Sequence, residues 1–145
     1  QNIGAGKYDR AKQTLRYAMM IAIGFGLVVS ILIQFIAAPV VGLFTADAAV
    51  ILLGAQYIRG YIWDCSFAGV HFSFSGYFCA CGKSGISFLH NLIAILCVRI
   101  PGVYLTSKIF PHTLFPMGLA TATGSLLSVI ICIIAYRWLC EKSGK

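Results

Sequence analysis

Four long apolar runs separated by short polar segments dominate the pattern of this 145-residue chain. The runs cover about 17–41, 58–80, 86–106 and 117–140. A helix rises 1.5 Å per residue, so about 20 apolar residues are enough to cross the hydrocarbon core of a bilayer. Each run reaches that length. The pattern therefore predicts an all-α integral membrane protein with four transmembrane helices.

The composition supports a membrane protein and excludes one built around a water-soluble core. Hydrophobic residues make up 59% of the chain and charged residues only 10%, whereas globular domains have about 45–50% and 25%. The net charge is +7. Because the basic residues lie mostly in short segments between the apolar runs, they indicate membrane topology, and we expect no nucleic-acid partner.

The segments that flank the runs predict local structure. Residues 1–16 are polar and basic, and they predict a cytoplasmic loop, bent at Gly4 and Gly6, that passes into an amphipathic helix at the membrane surface. Pro39 predicts the end of the first helix, and Asp47 the N-cap of the next. Since the chain begins at Gln1 without a signal peptide, we expect a fragment of a longer protein.

The distribution of basic residues predicts the orientation. With four spans, the first segment, the turn at Lys83 and the C-terminal tail lie on one side. That side carries Lys7, Arg10, Lys12, Arg16, Lys83, Arg137, Lys142 and Lys145. The other side has Lys108 in a loop and Arg59 near its interface. By the positive-inside rule, both ends are cytoplasmic.

Two stripes of small and polar residues recur at helical spacing. The first contains Ala22, Gly26, Ser30 and Gln34, and the second Ala120, Gly124 and Ser128. Small residues four apart let another helix approach closely. Gln34 is a candidate cavity-lining residue, with a hydrogen bond between helices as the alternative.

Two charged residues interrupt the apolar runs at matching depth. Asp64 lies about 9 Å and Arg99 about 10 Å from the outer ends of consecutive antiparallel spans, counted at 1.5 Å per residue. We therefore predict that they meet. One interpretation is a buried ion pair that fixes the register of the two helices. The other is that Asp64 exchanges H⁺ or Na⁺ during transport, although a tight pair with a cation disfavours proton carriage.

Several further residues are candidates to line a cavity. His71 lies two turns from Asp64 on roughly the same face and is able to titrate near neutral pH. Trp63 belongs to a group of aromatic residues that suits flat organic cations or the packing of helices. Asn91 and its neighbour His90 are polar residues near the inner end of the third span, and Pro101 predicts a kink that frees carbonyl groups near Cys97.

The cysteines do not point to a metal or redox site. The six of them are Cys65, Cys79, Cys81, Cys97, Cys132 and Cys140, with no CxxC pair. Most lie in apolar runs, where cysteine behaves as a small hydrophobic residue. A membrane thiol oxidoreductase needs cysteine pairs in or near its outer loops, and these loops have none. A purely structural membrane subunit is a further alternative, against which the intramembrane polar residues argue.

Four motifs resemble one transporter family. QNIGAGKYDRA at 1–11 is similar to the Q-N-x-G-A-G-x-x-x-R-A signature that follows the second helix of each half in multidrug and toxic compound extrusion (MATE) transporters. The Cys81-Gly82-Lys83 turn, VRIP at 98–101 and TLFPMGLAT at 113–121 resemble later helices of the same family. The resemblance covers essentially the whole chain.

The resemblance implies that residues 17–145 are the C-terminal four helices, nine to twelve, of a twelve-helix transporter with two lobes. It implies an exporter of drugs or organic cations in a prokaryotic plasma membrane, coupled to H⁺ or Na⁺, with no other cofactor. Its partners would be the lipid bilayer, the substrate and the missing N-terminal lobe. Some members carry an acidic cation-site residue in the tenth helix; the nearest aligned position is Ala68, and Asp64 lies about one turn further out. A related lipid-linked sugar flippase is the alternative, but such proteins tend to have several cationic cavity residues, and here only Arg99 qualifies.

Overall fold

The computed structural model describes residues 1–143, and the side chains of residues 1–140. Lys142 and Lys145, which contribute to the predicted cytoplasmic charge, lie outside the described side chains. The elements are α1 Tyr8–Gly42, α2 Ala48–Tyr61, α3 Asp64–Ala80, α4 Ser84–Ala94, a π-helical turn Ile95–Arg99, α5 Ile100–Ile109 and α6 Phe115–Ser143. No strand occurs in this part of the chain, and the all-α prediction is confirmed.

Three stretches of helix are long and apolar enough to cross a membrane. They are Tyr8–Gly42, Ser84–Ile109 and Phe115–Cys140, the second of which runs through the π-helical turn. The predicted second span differs, because α2 and α3 are separate helices of 14 and 17 residues. A continuous helix over 58–80 was therefore the wrong prediction for this region.

The first helix is longer at both ends than the sequence predicted. The turn of residues 1–6, with Gly6 at a φ of 70°, leads directly into α1 at Tyr8. The basic segment thus forms the first turns of α1 and not a separate surface helix. Pro39 lies inside α1, and the helix ends at Gly42. The prediction that Pro39 begins the break was wrong, because one missing backbone donor near a helix end is tolerated in membrane helices.

The start of α2 follows the sequence prediction. The Oδ1 atom of Asp47 accepts hydrogen bonds from the backbone N–H groups of Ala49, at 2.8 Å, and Val50, at 3.4 Å. These donors have no partner within the helix itself. Asp47 is therefore the N-cap, as its position after an apolar run predicted.

The helices pack around α6, which contacts α2, α3, α4 and α5, while α1 packs against α2 and α3. A core cluster comprises Leu15, Val70, Phe74, Phe78 and Cys132. The outward face of α1 exposes large apolar side chains, among them Met20, Ile21 and Phe25. Such a face suits contact with lipid.

The two predicted stripes of small residues lie at helix contacts. A methyl group at Gly26 of α1 would overlap Ser66 of α3, and one at Gly69 would overlap the side chain of Ala22. In the second stripe, Gly124 faces Arg99 and Ser128 contacts His90. The first stripe therefore allows the close approach of helices that its spacing predicted, whereas the second makes room for the side chains of Arg99 and His90.

Candidate functional site

The candidate site lies just after the break between α2 and α3. The carbonyl oxygen of Ile62 accepts one hydrogen bond from the backbone N–H of Cys65, at 3.0 Å, and another from the hydroxyl of Ser30 on α1, at 3.1 Å. This tighter turn interrupts the regular helical pattern. As a result, Asp64 is the first residue of α3, which places a carboxylate at a discontinuity inside the membrane-spanning bundle.

Asp64 and Arg99 form an ion pair at this break. The Nη2 atom of Arg99 lies 3.2 Å from both Oδ1 and Oδ2 of Asp64. Asp64 is buried, with 4% of its surface exposed, and the Arg99 side chain is 30% exposed. The same Nη2 donates a hydrogen bond of 2.6 Å to the Ser125 hydroxyl. The contact between Asp64 and Arg99 that their matched depth predicted is present.

Gly124, which lies opposite Arg99, leaves room for the aliphatic part of the Arg99 side chain. A methyl group at Gly124 would overlap Cγ of Arg99. Arg99 ends the π-helical turn, in which the N–H of Ile100 bonds to the carbonyl of Ile95. Pro101 follows at the start of α5. The interruption predicted at Pro101 thus takes the form of a π-helical turn, a feature that is frequent at functional sites.

A second polar cluster lies deeper along α3. His90 places Nε2 3.2 Å from the Ser75 hydroxyl and Nδ1 3.2 Å from the Ser128 hydroxyl. The ring of His71 lies 5.6 Å from that of His90, edge to face. His71 is buried, and its Nδ1 has no hydrogen-bond partner among the described residues. The cluster links α3, α4 and α6.

The remaining candidates lie in different surroundings. Gln34 donates hydrogen bonds to the carbonyls of Ser30, at 3.3 Å, and Arg59, at 3.1 Å, and Arg59 Nε donates in turn to the Gln34 carbonyl. These bonds join α1 to α2, so Gln34 makes the hydrogen bond between helices that was the alternative to lining a cavity. Asn91 is exposed on the outside of the bundle, away from the ion pair, and Pro101 is half-buried in α5.

Trp63 lines a shallow groove between α3 and α6. The groove has a volume of about 270 Å³, and its other lining residues are Phe67, Leu119, Ala122, Thr123 and Leu126. Trp63 immediately precedes Asp64 in the chain, but neither Asp64 nor Arg99 lines the groove. Its wall is almost entirely apolar and includes the aromatic side chains of Trp63 and Phe67.

Sequence reasoning missed the role of Ser125. The residue is buried and accepts a hydrogen bond from Arg99. The available signal was a hydroxyl next to Gly124, three residues before Ser128 on the same helix. Across the described residues, no group of three or more His, Cys, Asp or Glu side chains is placed to hold a metal ion. The six cysteines are free thiols.

Comparison with known proteins agrees with this architecture. The sequence matches the MatE family over residues 1–105, which include the N-terminal turn, α1 to α4, the π-helical turn and part of α5. No curated protein and no solved structure matches the chain. The matched region covers most of the 145 residues and contains both members of the ion pair. The chain belongs to the MatE family of membrane transporters.

Proposed function

We propose that this chain is part of a secondary active transporter that exports drugs or organic cations across the plasma membrane in exchange for H⁺ or Na⁺. Family membership and the apolar helices support a multi-pass membrane transporter. We also propose that an N-terminal lobe completes the transport path. A lipid bilayer would surround the helices, and both ends of the chain would lie in the cytoplasm.

The observation that carries the proposal is the buried ion pair at a helix break. The guanidinium of Arg99 balances the charge of Asp64 while the pair is closed. Opening of the pair would leave an uncompensated charge inside the bundle, which is costly. A cation that takes the place of Arg99 would offset that cost.

Competition between Arg99 and a cation for the carboxylate of Asp64 supplies a simple coupling mechanism. In one conformation Arg99 neutralises Asp64, and in the other a transported or coupling cation does so. The groove beside Trp63 and Phe67 would hold the apolar part of an organic cation. Because the helix is already interrupted before Asp64, a small rotation of α3 against α2 would be enough to separate the pair.

The test is efflux by the protein produced from the complete gene in a pump-deficient bacterium, with ethidium as the substrate. Asp64→Asn removes the charge and retains the shape of the side chain. Asp47→Asn is the matched control, because Asp47 is an exposed N-cap and asparagine is also a good N-cap. We expect efflux, measured per molecule of membrane-inserted protein, to be lost in Asp64→Asn and retained in Asp47→Asn.

The coupling ion is tested in the same cells. Collapse of the proton gradient stops efflux if H⁺ is the coupling ion, and removal of Na⁺ stops it if Na⁺ is. Equal efflux by Asp64→Asn and the wild type would exclude Asp64 from the coupling mechanism. Absence of ethidium efflux by the wild type would contradict drug export and favour the flippase alternative.

A further inference from the structure

A cavity of about 580 Å³ lies at the end of the bundle that carries the Lys83 turn. We call it the basic cavity. The N-terminal turn, the start of α1 and the ends of α3 and α6 wall it. Its lining includes Ile3, Tyr8, Lys12, Ala80, Lys83 and Leu139. Neither Asp64 nor Arg99 lines it, and transport as proposed above does not use it.

The basic cavity is positively charged. Lys12 belongs to α1 and Lys83 to the turn between α3 and α4, so two separate elements each contribute a lysine to one concave surface. Among the described residues that line it, none is acidic. Among residues 1–140, whose side chains the structure describes, neither Lys12 nor Lys83 belongs to an ion pair. The Tyr8 hydroxyl adds a hydrogen-bond donor. The chemistry of this surface suits a phosphate group.

The position and the walls of the basic cavity suit a lipid. Lys83 directly precedes Ser84–Ile109, a stretch long and apolar enough to cross a membrane, and Tyr8 and Lys12 lie at the start of another, Tyr8–Gly42. The cavity therefore lies where two spans meet the membrane surface. Ile3, Ala80 and Leu139 give it an apolar wall beside the two lysines. An amphiphile with a phosphate head and an apolar body fits both parts.

We propose that the basic cavity binds the head group of an anionic glycerophospholipid. Lys12 and Lys83 contact the phosphate, and the apolar wall contacts the carbon atoms that adjoin it. Basic pockets between transmembrane helices are known to hold anionic lipid head groups. The lipid would join the N-terminal turn and α1 to the ends of α3 and α6, and would stabilise the bundle at this end.

The test measures retained lipid on the purified protein from the complete gene by native mass spectrometry. Phosphatidylglycerol and phosphatidylethanolamine are added in equal amounts. The double variant K12Q/K83Q removes the two lysines of the basic cavity. K7Q/K108Q is the matched control, because it removes the same charge from lysines that do not line the basic cavity. K12R/K83R keeps the charge and reports on lipid binding if the glutamine variant is poorly folded.

We expect the wild type, K7Q/K108Q and K12R/K83R to retain phosphatidylglycerol in preference to phosphatidylethanolamine. In K12Q/K83Q the ratio should fall about thirtyfold, since each basic residue at an anionic surface contributes about 1 kcal/mol. A wild type without lipid preference would overturn the proposal. So would an equal loss in both glutamine double variants, which would indicate diffuse attraction. The readout requires no transport activity, so it is independent of the proposed function.

Discussion

Gly60 of α2 and Gly118 of α6 face each other at backbone contact. A methyl group on Gly60 would overlap the carbonyl oxygen of Phe115, and one on Gly118 would overlap the carbonyl oxygen of Tyr57. The contact lies just before the break that precedes Asp64. It therefore holds α2 against α6 on one side of the break, while the ion pair and Ser125 hold α3 on the other.

Gly60→Ala should destabilise the protein, because the contact is between backbones and has no flexible side chain that can move aside. Overpacking of this kind costs about 1–3 kcal/mol. The measurement is the thermal stability of the purified protein in detergent. Gly24→Ala is the control, since a methyl group there meets nothing within 4 Å. Equal stability of the two variants would contradict the close contact.

His90→Ala should lower stability, because it removes two hydrogen bonds and leaves the hydroxyls of Ser75 and Ser128 with fewer partners. Each buried group left without its partner costs about 1–3 kcal/mol. Ser128 retains a hydrogen bond of 3.3 Å to the His90 carbonyl, which moderates the loss. The exposed His112→Ala serves as the control in the same thermal assay. A His90→Ala variant as stable as His112→Ala would show that the cluster does not stabilise the bundle.

Gln34→Ala should loosen α1 from α2, because the Gln34 side chain donates to the backbone of Arg59. A hydrogen bond of this type contributes about 0.5–1.5 kcal/mol. The thermal assay, with exposed Gln13→Ala as its control, measures the effect. If Gln34 instead contacts the substrate, stability will be unchanged while ethidium efflux falls.

The orientation has its own test. In a cysteine-free background, cells expressing Lys108→Cys should react with a membrane-impermeant maleimide, and those expressing Lys83→Cys should not. This follows from the concentration of basic residues on the Lys83 side. The reverse labelling pattern would place both ends of the chain outside the cytoplasm.

The sequence predicted those long-range contacts that depend on the depth of a residue along a helix and on the four-residue spacing of one helix face. Counting residues along two apolar runs placed Asp64 and Arg99 at one depth, and they meet. The four-residue spacing of Gly26 and Ser30 identified a close helix contact. Both predictions rest on the constant rise and turn of a helix, which a sequence shows directly.

The features that sequence did not predict depend on tertiary contacts. The break at Ile62 and Trp63 contains no glycine or proline, and Gly60 before it lies inside α2; the hydroxyl of Ser30, from another helix, bonds to the Ile62 carbonyl at the break. Likewise, the π-helical turn before Pro101 accompanies the arrangement of Arg99 against Gly124. Asn91 is exposed because its face of α4 points away from α6, which its polarity alone does not indicate.

In the function proposed above, the charge of Asp64, paired with Arg99, is used in transport. The most direct measurement is ethidium efflux at known membrane level for Asp64→Asn, Arg99→Gln and the double variant. Arg99→Gln leaves the buried Asp64 carboxylate unpaired, a cost of about 3–5 kcal/mol, whereas Asp64→Asn leaves a partly exposed guanidinium unpaired, at a smaller cost. We predict that the double variant regains the membrane level of the wild type but not its efflux. Recovery of efflux in the double variant would contradict the account and make the pair a structural contact.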